Sequence, residues 1–143
     1  MSDSKNNGKL LAKTLRQHHH MMRKRFDEMG LHRGQPHLIM ELYNHDGMAH
    51  SDLADHMEVT PATVTNMVKR MERDGLVIRR RDDADERISR VYLTDDGKAL
   101  RDEIITNIKS IESETFKGFN DEEMVQLNQY LKRIVNNLKG MCH

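Results

Sequence analysis

Between Ser51 and Arg90 the chain concentrates side chains suited to reading a nucleic-acid duplex. Ser51, Thr60, Thr63, Thr65 and Asn66 supply small hydroxyls and an amide, with Pro61 and Ala62 beside them. Lys69, Arg70, Arg79, Arg80, Arg87 and Arg90 supply cations. Hydroxyls and amides hydrogen-bond to base edges, whereas cations neutralise phosphate. Arg87 follows the polar stretch Asp82-Asp83-Ala84-Asp85-Glu86. An arginine held at such a tip suits a minor groove, where narrow A·T tracts attract it electrostatically.

These groups need a frame, and the local pattern predicts one. Thr60 is a good N-cap and Pro61 fits the first helical position. Val64, Met67, Val68 and Met71 recur at helical spacing, and Asp74-Gly75 closes the helix with Gly75 as its C-cap. Thr63, Thr65, Asn66, Lys69, Arg70 and Arg73 are left on the other face. A shorter helix over residues 51–57, with Ser51 as its expected N-cap, buries Leu53, Ala54 and Met57. The three-residue link Glu58-Val59-Thr60 joins the two as a helix-turn-helix. The β-branched run from Leu76 passes into Arg79-Arg80-Arg81, and residues 88–94 alternate, with Ser89, Val91 and Leu93 on one face. That pattern predicts a hairpin, a wing with a charged tip.

With both elements in view the chain resembles the MarR-type winged-helix regulators. Asp85-x-Arg87-x-x-x-Val91-x-Leu93-Thr94-x-x-Gly97 is similar to their wing signature, and VTPATVTNMVKRMERDGLV is similar to their recognition helix. The resemblance covers roughly residues 10–140. It implies that Asp85 orients Arg87 for the minor groove and that the helix from Pro61 to Asp74 lies in the major groove. It further implies a cytoplasmic homodimer acting on double-stranded DNA at a pseudo-palindromic operator. Such a protein is usually a repressor released by a small-molecule effector. Effectors of the family bind between the reading module and the dimerisation helices, which would bring His18, Met22, His37 and Tyr43 near a pocket.

Composition bounds these expectations. The chain has 143 residues, 36% hydrophobic and 32% charged, with no tryptophan. One domain is expected, with long helices whose remaining apolar stripes are buried in a dimer. No apolar run approaches the roughly 20 residues a membrane span needs. Met1–Lys9 is polar and lacks an apolar signal core, so a cytoplasmic location is expected. The formal net charge is zero, so overall charge does not single out DNA. Its distribution does: residues 69–81 carry six cations against two anions, whereas residues 95–143 carry seven against nine. Only the local arrangement matters for phosphate neutralisation.

The rest of the chain reads as helix. Leu11, Leu15, His18, Met22, Phe26 and Met29 form a stripe over residues 10–29, which Gly30 ends. Residues 36–44 form a second helix through Leu38, Ile39 and Leu42, and Met48-Ala49 is a candidate third strand. Thr94 caps a long helix, Gly118 breaks it, and Asn120 with Glu123 opens the last one, expected to bury Met124, Leu127, Leu131, Ile134, Val135 and Leu138. The predicted class is mainly α with a small β-hairpin wing. Residues 36–94 form the winged helix-turn-helix, and residues 9–30 and 95–141 form dimerisation helices.

Other chemistry is thin. Adjacent helical residues point about 100° apart, so His18-His19-His20 cannot chelate one ion as a face. One of them with His37 could hold zinc or copper, which keeps a metal-responsive regulator as an alternative; surface or pocket-lining histidine is the default reading. The lone Cys142 excludes an internal disulfide, and the first helix lacks the cysteine used by peroxide-sensing members of the family. Methionines such as Met22, Met40, Met57, Met67, Met71 and Met124 fall on apolar stripes, where core packing is the expected role. No phosphate-binding glycine loop or nucleophile motif suggests an enzyme, and no cofactor is expected. A winged-helix module that binds protein rather than DNA is the other alternative, and its support is the zero net charge and the acidic wing tip.

Overall fold

The computed structural model describes residues 4–32 and 34–142. Met1–Asp3, the first part of the polar start, Arg33 and His143 lie outside them. After a short 3-10 turn at Ser4–Asn6 come α1 (Asn7–Glu28), α2 (Gln35–Asn44), β1 (Met48–Ala49), α3 (His50–Met57), α4 (Pro61–Arg73), β2 (Val77–Arg81), β3 (Ser89–Leu93), α5 (Asp95–Thr115) and α6 (Asp121–Met141). The three strands form one antiparallel sheet in the order β1-β3-β2. This is the mainly helical winged helix-turn-helix expected, with the candidate third strand in place. The chain divides into two compact units, Met1–Ile111 and Glu112–His143.

In the first unit the core is made where α2, α3 and α4 meet the inner face of the sheet. Leu38, Ile39 and Leu42 from α2, Leu53 from α3, Val64, Val68 and Met71 from α4, Val91 from β3 and Ile104 from α5 are fully buried. Full burial of each such side chain is worth about 1.5–3 kcal/mol relative to exposure. Alternation along β3 puts Val91 and Leu93 inward, and Val77 of β2 lies opposite Leu93. Phe26 and Met29 at the end of α1 pack against this core. Asn107 of α5 accepts from Arg25 Nη1 at 3.0 Å and donates to Met29 Sδ at 3.4 Å.

Several termini follow from local sequence. Thr60 Oγ1 accepts from the Thr63 amide at 3.2 Å, with Pro61 as the first helical residue. Gly75, at φ +78, takes the left-handed turn that closes α4. Thr94 Oγ1 accepts from the Gly97 amide at 3.0 Å and caps α5. The α3 start differs from expectation. The helix begins at His50 with Ala49 as its N-cap, so Ser51 is an exposed residue of the first turn and caps nothing. The reason is β1: its pairing with β3 sets the extended backbone through Ala49, and the helix starts at the next residue.

The expected α1 stripe is only partly used. Met22, Phe26 and Met29 are half-buried, but Leu15 is 59% exposed and His18 is exposed. In the second unit, Asn120 and Glu123 form the expected reciprocal capping box, at 2.8 and 3.0 Å. Here the burial expectation fails within one chain. No residue of α6 is buried, and Val125, Leu131, Val135 and Leu138 are all exposed. Periodicity specifies an apolar face; it does not specify which molecule covers it.

Candidate nucleic-acid interface

Burial of Val64, Val68 and Met71 fixes the rotation of α4 and so decides what its other face shows. Ala62, Thr63, Asn66, Lys69, Arg70 and Arg73 are exposed there. The Thr60 and Thr63 hydroxyls lie 2.9 Å apart and share a hydrogen bond, which orients both beside the helix start. Thr65 is half-buried, and its hydroxyl donates back to the Pro61 carbonyl at 2.9 Å, so it is less available than Thr63 or Asn66.

The wing is braced by its acidic residues. Asp82 accepts from the amides of Ala84 and Asp85, each at 3.0 Å, and from Arg90 Nε at 2.7 Å. Arg90 also donates to the Gly47 carbonyl at 3.0 Å, which ties the wing to the segment before β1. The Arg90 hydrogen bond, followed by the tip amides, holds the Asp82 carboxyl below its usual range. Arg90, expected to face DNA, is therefore half-buried and committed to the hairpin. Its cross-strand neighbour is Arg80, a like-charge pair relieved by Asp82 on one side and, on the other, by Arg80 lying 5.9 Å from the Tyr92 ring centre. Arg79 is paired with Glu72 at 3.0 Å, a link between β2 and the end of α4.

Arg87 stands apart. Its side chain is 90% exposed, yet it is not free to wander. Nε donates to Asp85 Oδ1 at 3.0 Å and Nη2 to Oδ2 at 3.1 Å, a two-point fork; the Arg87 amide also donates to Oδ1 at 3.0 Å. That contact lowers the Asp85 carboxyl below its ordinary value and raises the guanidinium. A planar, fully charged group is thus presented outward on a short acidic post.

A cavity of about 510 Å³ lies within the first unit. Met22 and Phe26 of α1, Leu31, Pro36 and Met40 of α2, and Ile108 of α5 make it apolar. His19, Arg23, His32 and His37 bring polar and cationic groups to it, with Asp27 the acid. Of the four residues expected near a pocket, Met22 and His37 line it. His18 does not; its place is taken by His19, which shares a face with Met22, Arg23 and Phe26 at helical spacing. Tyr43 lies outside, exposed, with the Arg101 guanidinium 5.5 Å from its ring centre. Among the described residues no group of three His, Cys, Asp or Glu side chains is placed to hold a metal ion.

The sequence model of the MarR family matches residues 31–89, from just before α2 to the first residue of β3. An uncharacterised HTH-type transcriptional regulator of Bacillus subtilis is 30% identical over 98 residues, 68% of this chain and 67% of its own. The chain belongs to the MarR family. It is a transcription regulator rather than an enzyme. The HTH-type transcriptional repressor MdtR of the same bacterium is 30% identical over 100 residues, 70% of this chain and 64% of its own. Among solved structures, a MarR transcriptional regulator from Methanosarcina mazei superposes with a TM-score of 0.78 at 25% identity, covering 94% of this chain and 96% of the other.

Two features of this MarR-family wing were not legible beforehand. Asp82 of the acidic wing tip and Glu72 at the end of α4 each secure an arginine. The signal for Asp82 was present: an aspartate two and three residues before free amides is the pattern of an Asx turn. No comparable local signal marks Glu72, because its partner Arg79 lies in the next element.

Proposed function

We propose that the protein is a homodimeric, sequence-specific repressor that binds a pseudo-palindromic operator and is released by a small-molecule effector. The observation that carries this reading is Arg87: an outward guanidinium forked to Asp85 at the tip of a wing that follows a helix-turn-helix. In this reading α4 enters the major groove, with Thr63 and Asn66 meeting base edges near its start. Lys69 and Arg70, with Arg80 on the wing, meet phosphate. Arg87 enters the adjoining minor groove. The exposed apolar face of α6 supplies a surface for a second copy. The two reading helices then sit about one DNA turn apart, which fits a two-fold site.

The apolar cavity beside α2 is the effector site in this reading, with Met22 and His37 among its walls. An occupant there changes the relation of the two reading heads, and DNA affinity falls because both half-sites are no longer met together. The protein works in the cytoplasm; among the described residues no helix is long and apolar enough to cross a membrane.

Selection of bound duplexes from a random pool tests the reading. An enriched sequence with two-fold symmetry, bound with an affinity that falls steeply with salt, is the expected result. No enrichment, with binding to random duplex that is indifferent to salt, would favour a protein-binding module instead.

A further inference from the structure

We propose that Glu41, shared between His37 in the cavity wall and His56 on the helix-turn-helix, is the link through which an occupant of the cavity acts on the reading head. The inference rests on the effector reading above and adds its route. Glu41 lies on the last turns of α2 with a side chain only 19% exposed. Its two oxygens serve two partners: Oε1 is 3.5 Å from His37 Nε2, and Oε2 is 3.3 Å from His56 Nδ1. His37 is one turn earlier on α2 and lines the cavity. His56 is on α3, near its C-terminal end, with the His45 ring standing edge-on to it at 6.4 Å. One carboxylate therefore bridges a cavity-wall side chain and the first helix of the reading pair.

Both contacts are long for hydrogen bonds, so the carboxylate is divided between its partners rather than committed to either. A group in the cavity that takes a hydrogen bond from the His37 imidazole draws it off Glu41. The carboxylate then turns wholly to His56. That change is delivered to α3, and α3 cannot shift alone. Leu53, Ala54 and Met57 are buried in the same core as Val64 and Val68 of α4, and only the tight turn at Glu58, with φ +56, separates the helices. A bias at His56 becomes a bias in the placement of α4. Coupling between sites in proteins typically changes affinity about five- to 150-fold, and one half-exposed contact belongs at the low end of that scale.

The first measurement needs no ligand. In the full-length protein with labelled histidines, His37→Gln should move the ring resonances of His56, and the movement should vanish in a Glu41→Gln background. Immobile His56 resonances in the first comparison would overturn the link and leave the effector reading standing. The second uses anilinonaphthalene sulfonate, whose rings suit Met22, Phe26 and Met40 and whose sulfonate suits the histidines and Arg23. Its fluorescence reports occupancy. In the native protein it should weaken binding to the selected duplex by roughly tenfold; in Glu41→Gln it should still bind, yet change DNA affinity by less than about twofold. Equal weakening in both proteins would sink the link alone. Occupancy without any effect on DNA binding in the native protein would sink the effector reading, and the link with it. His56→Gln, which leaves Glu41 and the cavity intact, should behave as Glu41→Gln does and guards against a folding defect in either.

Discussion

α4 and α6 are both amphipathic helices opened by a side-chain cap, and they meet opposite fates. The apolar residues of α4 disappear: Val64, Val68 and Met71 are fully buried. Those of α6 stay in view, with Val125 60% and Leu138 49% exposed. The periodicity is alike; the difference is whether the chain itself supplies a second surface. α4 is packed by α2, α3 and the sheet, so its orientation is settled inside the subunit and its polar face is free to serve a ligand. On α6 no residue is buried, and only Met124, Leu127 and Ile134 are half-buried. A contiguous apolar stripe left open on a helix of this length is the signature of a partner, and on the proposed reading that partner is the same stripe of a second copy.

The sharpest way to break this contrast is to charge the open face. Leu131→Glu with Leu138→Glu should leave the far-UV spectrum and the reading unit intact but convert the proposed dimer to a monomer in sedimentation. Affinity for the two-fold operator should then fall by about a hundredfold or more, because two half-sites bound independently lose the effective concentration that linkage provides. A dimer surviving both charges would remove α6 from the interface. The matching change in α4, Met71→Ala, should do the reverse. It opens a cavity in a closed core and should cost about 2–5 kcal/mol of stability, read as a lowered melting temperature. Gly97→Ala belongs with it. A methyl there would collide with the Leu76 carbonyl, which is backbone and cannot swing away.

What could be read from sequence divides along the same line. Features closed within a few residues were legible: Thr60 and Pro61 opening α4, Gly75 ending it, the Asn120–Glu123 box, and the alternation that buries Val91 and Leu93. Features set by distant partners were not. The α3 start shifted from Ser51 because a strand pairing ends at Ala49. Arg90 was expected on the DNA face and is held by Asp82 and Gly47. His18 gave way to His19 in the cavity wall, a choice set by helix rotation against α2. The apolar face of α6 is legible from its spacing, and it stays exposed within the chain, as a stripe expected to be buried in a dimer would. Glu41 and His56, fifteen positions apart on different helices, offered no local pattern at all.

A smaller effect is expected at the wing. Arg87→Ala removes no buried surface, so the melting temperature should hold while operator affinity drops roughly ten- to a hundredfold. Asp85→Asn should give a partial loss, since the guanidinium survives but its fork is weakened. Arg87→Ala with unchanged operator affinity would take the wing out of recognition and leave α4 to act alone.

The smallest effect concerns acid, and it should fall on the reading unit only. His50 opens α3, and its Nε2 is buried with no hydrogen-bond partner. Burial first, and then the charge of Arg79, push its pKa below 6.5, while Glu72 pulls the other way. The unfolded chain therefore holds this proton more tightly than the folded one. Well above pH 6.5 the residue is neutral in both states and contributes nothing to pH dependence. As the pH falls below that value the unfolded state takes up the proton first, so stability declines until the folded form is protonated as well. His50→Gln, neutral throughout, should flatten the melting temperature across this window. The proposed α6 dimer, whose exposed stripe carries no histidine, should keep its dissociation constant over the same range. An unchanged slope in His50→Gln would assign the acid sensitivity to a different histidine and return the start of α3 to a purely structural role.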